Sequence, residues 1–318
     1  MRDEGVEVKD SALTSALLPP PVLPLRPAII INASSGADDK KEVRGRIEKA
    51  FASSDARISL AQSGEEILGL ARRAVEDNCQ PIIAGGGDGT INAVASVVVD
   101  AGRLLGILPL GTLNHFAKDL KIPLDIEGAA RVCLTGREAG IDVGEVNGRV
   151  FLNNSSLGLY PNIVRHREKQ QERLGRGKWP AFIWATLTML KRYPFLNVRL
   201  STDDQRLIRH TPFVFIGNNE YEMESFQIGA RSCLDKGQLS LYVAHRTGRL
   251  GLLRLALRAL FGGLRQEHDF DAMCTKEIWI ETRRPKRLRV ATDGEVSIMT
   301  TPLHYRVRPG ALRVLVPE

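Results

Sequence analysis

The segment Pro81-Ile-Ile-Ala-Gly85-Gly86-Gly87-Asp88-Gly89-Thr90-Ile91-Asn92 concentrates residue types that handle an anion. A short apolar run enters three glycines, an acid, a fourth glycine and a helix start. Glycine lets a ligand approach the backbone closely. A glycine-rich turn that opens a helix aims free N–H groups at one point, where negative charge is stabilised. Asp88 is out of place in a plain phosphate cradle, because its carboxylate repels phosphate. It suits a loop that also meets a magnesium ion, a water, a ribose or a substrate hydroxyl. The segment has neither the G-K-[ST] ending of a Walker loop nor the G-x-G-x-x-G of a dinucleotide site. It predicts a nucleotide and chemistry on that nucleotide.

Three further stretches carry polar groups at matching places. Pro109-Leu-Gly111-Thr112-Leu-Asn114-His115 offers a glycine, a hydroxyl and an amide where a strand becomes a helix. Thr112 is suited to a phosphate and Asn114 to a ribose or to ordering the loop, although Thr and Asn also favour plain helix caps. Asn32-Ala33-Ser34-Ser35-Gly36 follows an earlier strand in the same manner. Thr292-Asp293-Gly294-Glu295 places two carboxylates around a glycine. Such a pair can flank a reacting hydroxyl, provided one carboxylate reaches the proton it removes. Asp-Gly is equally a common hairpin turn.

The elements that position these loops follow from periodicity. Residues 1–27 end in the proline-rich run Pro19–Pro24 and read as a disordered tail. From Ala28 to about residue 140, apolar strands at Ala28–Ile31, Arg57–Leu60, around Ile82 and at Leu104–Pro109 alternate with helical segments. This predicts an α/β domain with an open, mostly parallel sheet. Ligands of such sheets sit at the carboxyl ends of the strands, where all three polar loops fall. Residues 141–318 read as an antiparallel β domain. Its strands are expected at Asp142–Val146, Val150–Asn154, Asn197–Ser201, Pro212–Gly217, Gln238–Ala244, Glu277–Glu281, Arg287–Ala291 and as two strands around Arg308-Pro309-Gly310. Helical insertions are expected near Pro180–Arg192 and Arg249–Phe261. In the second, Arg254 and Arg258 share one face of a leucine-rich helix, a pattern suited to an anionic membrane surface.

At 318 residues the chain is long enough for two domains, and a hydrophobic content of 43% supplies their cores. The net charge of +7 points to an anionic partner. Aromatics are 6% and no basic run is interleaved with them, which argues against a nucleic-acid surface. Cys79, Cys133, Cys233 and Cys274 lie far apart without metal spacing, as expected of reduced thiols in a cytoplasmic protein. No apolar run reaches the length of a membrane span, and the N-terminus has no signal-like core.

Taken in order, Asn32, Ser35, Gly36; Gly85, Gly86, Gly87, Asp88, Gly89, Thr90, Asn92; and Gly111, Thr112, Asn114, Ala117 resemble the diacylglycerol kinase catalytic domain family, which includes bacterial lipid kinases and sphingosine kinases. The likeness continues through Asn154–Gly158, Leu234–Leu239 and Thr292–Glu295, and so covers Ala28 to the C-terminus. It implies a nucleotide-binding α/β domain followed by a β-sandwich domain with helical insertions, the active site lying between them. It further implies ATP with Mg2+, transfer of the γ-phosphoryl group to a lipid hydroxyl, and Asp293 or Glu295 as the base. A lipid substrate, a peripheral anionic membrane surface and a homodimer are the expected partners. The G-G-D-G-T element also resembles that of NAD kinases and phosphofructokinases, whose acceptors are soluble; a nucleotide-binding module without chemistry is the other alternative. The chain departs from the family pattern at Ala33, where proline is usual, and at His115, where aspartate is frequent. It also has Lys236-Gly237 where many members have Asp-Gly. In the soluble bacterial members that aspartate helps bind a magnesium ion in the second domain. Asp235 is one residue away, so the expectation is either no separate metal site or Lys236 as a fixed positive charge in its place.

Overall fold

The computed structural model describes residues 26–33, 40–158, 195–202, 205–220, 234–244 and 270–318. The proline-rich start, Ser35, Gly36, Cys233, the segments Pro180–Arg192 and Arg249–Phe261, and with them Arg254 and Arg258, lie outside these residues.

The first half alternates as expected. Strands β1 (Ala28–Asn32), β2 (Arg57–Ala61), β3 (Ile82–Gly86) and β4 (Leu104–Pro109) are joined through helices α1 (Lys40–Ala50), α2 (Gly64–Glu76) and α3 (Asp88–Val98). They pair in parallel in the order β2-β1-β3-β4. β3 and β4 are buried throughout and β1 is buried but for Asn32, which is why they read as continuous apolar runs. Local chemistry sets the helix starts. Ser63 Oγ accepts from Glu66 N, and Glu66 returns a bond to Gln62 N at 2.7 Å. Helices α4 (His115–Asp119) and α5 (Ile126–Thr135) follow β4, and Asp125 caps α5 by accepting from Gly128 N at 2.7 Å. Arg46 on α1 and Glu127 on α5 form a forked ion pair, and the guanidinium holds the Glu127 carboxyl down at about 2.

The second half is strand-rich. β5 (Arg137–Val146), β6 (Arg149–Phe151), β8 (Leu196–Thr202), β9 (Arg206–Thr211), β13 (Glu277–Thr282) and β16 (Leu303–Val316) extend the first sheet to ten strands. A separate antiparallel sheet runs β12-β11-β10-β7-β14-β15, from β7 (Asn154–Gly158), β10 (Phe213–Asn218), β11 (Leu239–Ala244), β12 (Phe270–Thr275), β14 (Arg287–Thr292) and β15 (Glu295–Thr300). Its inner face meets β8, β13 and β16 around Leu157, Leu200, Val214, Leu241, Ile280, Val290, Leu303 and Tyr305. The architecture is thus a mostly parallel α/β sheet followed by an antiparallel β-sandwich.

Three strand expectations are corrected. The stretch Val150–Asn154 divides into β6 and β7, because Leu152–Asn154 turns to meet the side chain of Asp293. Pro309-Gly310 is not a turn between two strands but a bulge within the single strand β16; its register against β5 shifts between Arg308 and Leu312. β9 and β12 are additional strands. β16 is the element common to both halves: residues Leu303–Arg306 pair with β13, and Arg313-Val314 pair in parallel with β4.

Inside the sandwich the fully buried hydroxyl of Tyr305 lies 3.0 Å from Ser155 Oγ, which also donates to Ala291 O at 2.9 Å. Burial pushes the Tyr305 phenol above its ordinary range, so it stays a neutral partner. Tyr305→Phe should keep the packing and remove this bond, costing about 1 kcal/mol in denaturant unfolding. An unchanged midpoint would show that the bond is energetically silent.

Candidate active site

The loops after β1, β3 and β4 leave the carboxyl edge of three neighbouring parallel strands, and short contacts knit them together. Asn32 Nδ2 donates to Thr90 Oγ1 at 3.0 Å, joining the first loop to the second. Leu110 N donates to Gly86 O at 3.0 Å, joining the third to the second. The glycines make the approach feasible. A Cβ on Gly111 would stand 2.4 Å from Gly87 Cα and 2.8 Å from Asn114 Oδ1, and one on Gly86 would meet Thr90 Oγ1 at 2.4 Å.

Most of the polar side chains in these loops turn inward. Asn114 takes a left-handed backbone, φ 50°, and is buried. Its Oδ1 accepts from Gly111 N at 3.0 Å and its Nδ2 donates to Gly111 O at 2.8 Å, so it staples its own loop. Thr90 and Asn92 are also buried. Asn92 Oδ1 has no protein partner, which leaves an unsatisfied acceptor within about a turn of the glycine loop. The Asp88 carboxylate accepts from His115 N at 3.2 Å and Phe116 N at 3.1 Å and thereby caps α4. Asp88 therefore positions the third loop from within the second. What remains outward is backbone together with Thr112: no side chain caps α3, Gly85 to Gly87 lead into it, and Gly89 and Thr112 are exposed. An uncapped helix start of this kind is suited to an anion.

The Asp293-Gly294 pair connects β14 to β15 as a two-residue hairpin with φ 47° and 87°. Both residues being left-handed matches the turn type that suits hairpin twist. The Asp293 carboxylate accepts from three successive amides: Leu152 N at 2.6 Å, Asn153 N at 2.8 Å and Asn154 N at 3.0 Å. Three of the roughly four lone-pair directions of a carboxylate are thus occupied by backbone. Glu295, more than half exposed, forms an ion pair with Arg149 on β6. The segment held by Asp293 is shared between cores: Val150 and Leu152 belong to the α/β core, Phe151 to the sandwich core, and β6 packs on α3. Through this segment the turn is tied to the helix whose first residues are the glycine loop.

Sequence reasoning missed several partners. Asn218 anchors the same segment from the other side; its N donates to Asn153 O and its Nδ2 to Leu152 O, both at 2.9 Å. Asp142, 2% exposed, accepts from Gly237 N at 2.6 Å and Gly310 N at 2.9 Å. A lone acid within Ile141-Asp142-Val143 was the available signal. Lys236 pairs with Glu220 at 3.4 Å, and Asp235 is exposed. Among the described residues no group of three or more His, Cys, Asp or Glu is arranged to hold a metal. Cys133 is buried, and desolvation pushes its thiol up to about 12, which removes it as a nucleophile.

Two glycine substitutions separate close approach from simple flexibility. Gly111→Ala should force the second and third loops apart, destabilise the fold by about 1–3 kcal/mol and weaken nucleotide binding. Gly89→Ala, whose Cβ would meet nothing within 4 Å, should leave stability unchanged or raise it by up to about 1 kcal/mol. Thermal melts and nucleotide titrations of both variants check this; equal behaviour would show that the Gly87–Gly111 contact is dispensable.

Comparison with known proteins agrees with this geometry. Residues 26–146 match the model of the diacylglycerol kinase catalytic domain, and residues 163–316 match that of the YegS C-terminal NAD kinase beta sandwich-like domain. A Pectobacterium atrosepticum protein named "Probable lipid kinase YegS-like" is 27% identical over 90% of this chain and 97% of its own length. A Yersinia pestis protein of the same name is 29% identical over 78% of this chain and 84% of its own. The crystal structure of a diacylglycerol kinase from Bacillus anthracis superposes with a TM-score of 0.67 at 22% identity, covering 92% of this chain and 96% of that one, a likeness of fold. The two models in tandem, each falling on the half with the matching architecture, place the chain in the diacylglycerol kinase catalytic domain family, a family of lipid kinases.

Proposed function

We propose that this protein transfers the γ-phosphoryl group of ATP to the hydroxyl of a lipid, with a diacylglycerol-like acceptor. The observation that carries the reading is the knit set of glycine loops at the carboxyl edge of β1, β3 and β4, opening on an α3 start that no side chain caps. The N–H groups of that start suit phosphate oxygens, and Thr112 is exposed beside them. The unsatisfied Asn92 Oδ1 suits a donor such as a ribose hydroxyl. When bound with the nucleotide, magnesium supplies charge neutralisation on the phosphates. The carboxylate these loops offer it is Asp88, which already holds α4.

The protein's share of phosphoryl transfer is mostly positioning and electrostatics. In this reading residues 28–140 bind ATP and residues 141–318 present the acceptor. Of the two candidate bases, Asp293 is the better prepared. Three amides fix its carboxylate in one orientation, whereas Glu295 is exposed and shared with Arg149. A base held in a single orientation loses little entropy when the acceptor arrives.

Labelled ATP incubated with total lipid extract should yield a labelled lipid, and nucleotide binding without any labelled product would overturn the reading. Asp293→Asn should lower turnover on the order of 10²–10⁴-fold with ATP affinity nearly intact, as expected for loss of a general base. Glu295→Gln should lower it by less than about tenfold, the scale of losing a partly exposed ion pair. Full turnover in Asp293→Asn would reduce the turn to a structural element.

The same reading places the protein in the cytoplasm, peripherally bound to membrane. Among the described residues no helix is long and apolar enough to cross one. The described residues instead present Arg283, Arg284, Lys286 and Arg287, all exposed, at the connection between β13 and β14, which Thr282 Oγ1 braces by donating to Pro285 O at 2.6 Å. Replacing these four by glutamine should weaken binding to anionic vesicles by about 1 kcal/mol per residue that approaches the surface. Co-sedimentation with anionic and neutral vesicles reads this, and unchanged binding would remove the hairpin from the membrane face.

A further inference from the structure

We propose that Lys236 is a tethered cation: the loop that carries it keeps its shape without a divalent ion, and its ammonium group stands where relatives with Asp-Gly place a metal-binding carboxylate. The comparison with relatives rests on the lipid-kinase reading; the geometry of the loop does not.

A magnesium ion held by protein needs oxygen donors, ordinarily one or two carboxylates, in near-octahedral geometry. The carboxylates around this loop are already committed or mismatched. Asp142 is buried and gives one oxygen to Gly237 N at 2.6 Å and the other to Gly310 N at 2.9 Å. Glu220 lies 3.4 Å from Lys236 Nζ, so a dication using Glu220 would meet an ammonium at contact distance. Asp235, the remaining acid, is exposed.

The loop is fixed by other means. Lys236 N donates to Asn219 Oδ1 at 3.1 Å, Asp142 N donates to Leu234 O at 2.9 Å, and Gly237 adopts φ 65°, open to glycine at little cost. The Lys236–Glu220 pair is itself about half exposed, so water screens it and the buried bonds of Asp142 and Asn219 do most of the fixing. The arrangement matters to the site because of what it supports. Asn219 follows Asn218, which binds Leu152 O and Asn153 O, and the same segment donates to Asp293. The support of the acceptor side is therefore built of amides and a fixed charge, and the enzyme's need for magnesium is confined to the nucleotide.

The test is the thermal midpoint of the full chain without nucleotide, in EDTA and in millimolar MgCl2 at constant ionic strength. Wild type should melt at the same temperature in both. Lys236→Asp should melt lower in EDTA and recover part of the loss in MgCl2. A magnesium-dependent rise in the wild type would overturn the proposal, as would a folded Lys236→Asp protein indifferent to magnesium. Should Lys236→Asp not fold, Lys236→Met takes its place: folding in EDTA with no magnesium response supports the proposal, and a new need for magnesium overturns it. None of these measurements reads phosphate transfer, so a failure of the kinase reading would leave their outcome unaffected.

Discussion

The structure depends on one buried carboxylate. Asp142 lies on β5, the strand that accompanies β16 as it passes from the sandwich into the parallel sheet. Its Oδ1 accepts from Gly310 N, at the bulge where β16 changes register, and its Oδ2 accepts from Gly237 N in the Lys236 loop. Gly140, on the same strand, faces the bulge; a Cβ there would stand 3.5 Å from Gly310 O. A buried charge is tolerated only where hydrogen bonds replace its water. Here they come from backbone amides on two separate segments, so satisfying the charge also fixes both segments. β16 thereby holds its bend, β4 keeps its neighbour Arg313-Val314, and the sandwich stays in register with the nucleotide edge.

From that spine the site is assembled by backbone more than by side chains. At the nucleotide edge, glycines let three loops lie against one another, and the buried amides and hydroxyls of Asn32, Thr90 and Asn114 bind the loops rather than point outward. On the acceptor side, Asp293 and Asn218 grip Leu152–Asn154 from opposite directions. The two arrangements share a logic. An N–H or C=O buried without a partner is costly, so a side chain that supplies the partner fixes the chain path at that point. Preorganisation of this kind is what phosphoryl transfer asks of a protein, since little covalent chemistry is left for it to perform.

The parts legible in the sequence were those governed by local rules. Continuous apolar runs gave β1, β3 and β4, because strands buried on both faces need no polar residue. Glycines after those runs gave the loops. The illegible parts depended on distant neighbours. Pro309-Gly310 has the composition of a turn, and only Asp142, far away in sequence, makes it a bulge in a continuous strand. β9 and β12 sit at the edges of their sheets, and the polar residues of Arg206–Thr211 mask an alternation that is half exposed. The Asp88 carboxylate was readable as an anomaly among glycines, but its partners are the amides of His115 and Phe116, which no spacing rule connects to it.

Asp293 shows why two readings of one dipeptide need not compete. As a hairpin, Asp293-Gly294 requires two left-handed residues, and aspartate tolerates that backbone better than most side chains. As a site residue, it requires a carboxylate delivered to one place without freedom to swing. The left-handed turn satisfies the second demand by satisfying the first. It lifts the Asp293 side chain out of the strand alternation and into the three amides of Leu152–Asn154, while Asp293 N donates back to Asn154 O at 2.9 Å. An asparagine could adopt the turn, but its amide would present N–H to N–H on one side. The selection at this position is therefore for a carboxylate in a turn, which a hairpin alone would not demand.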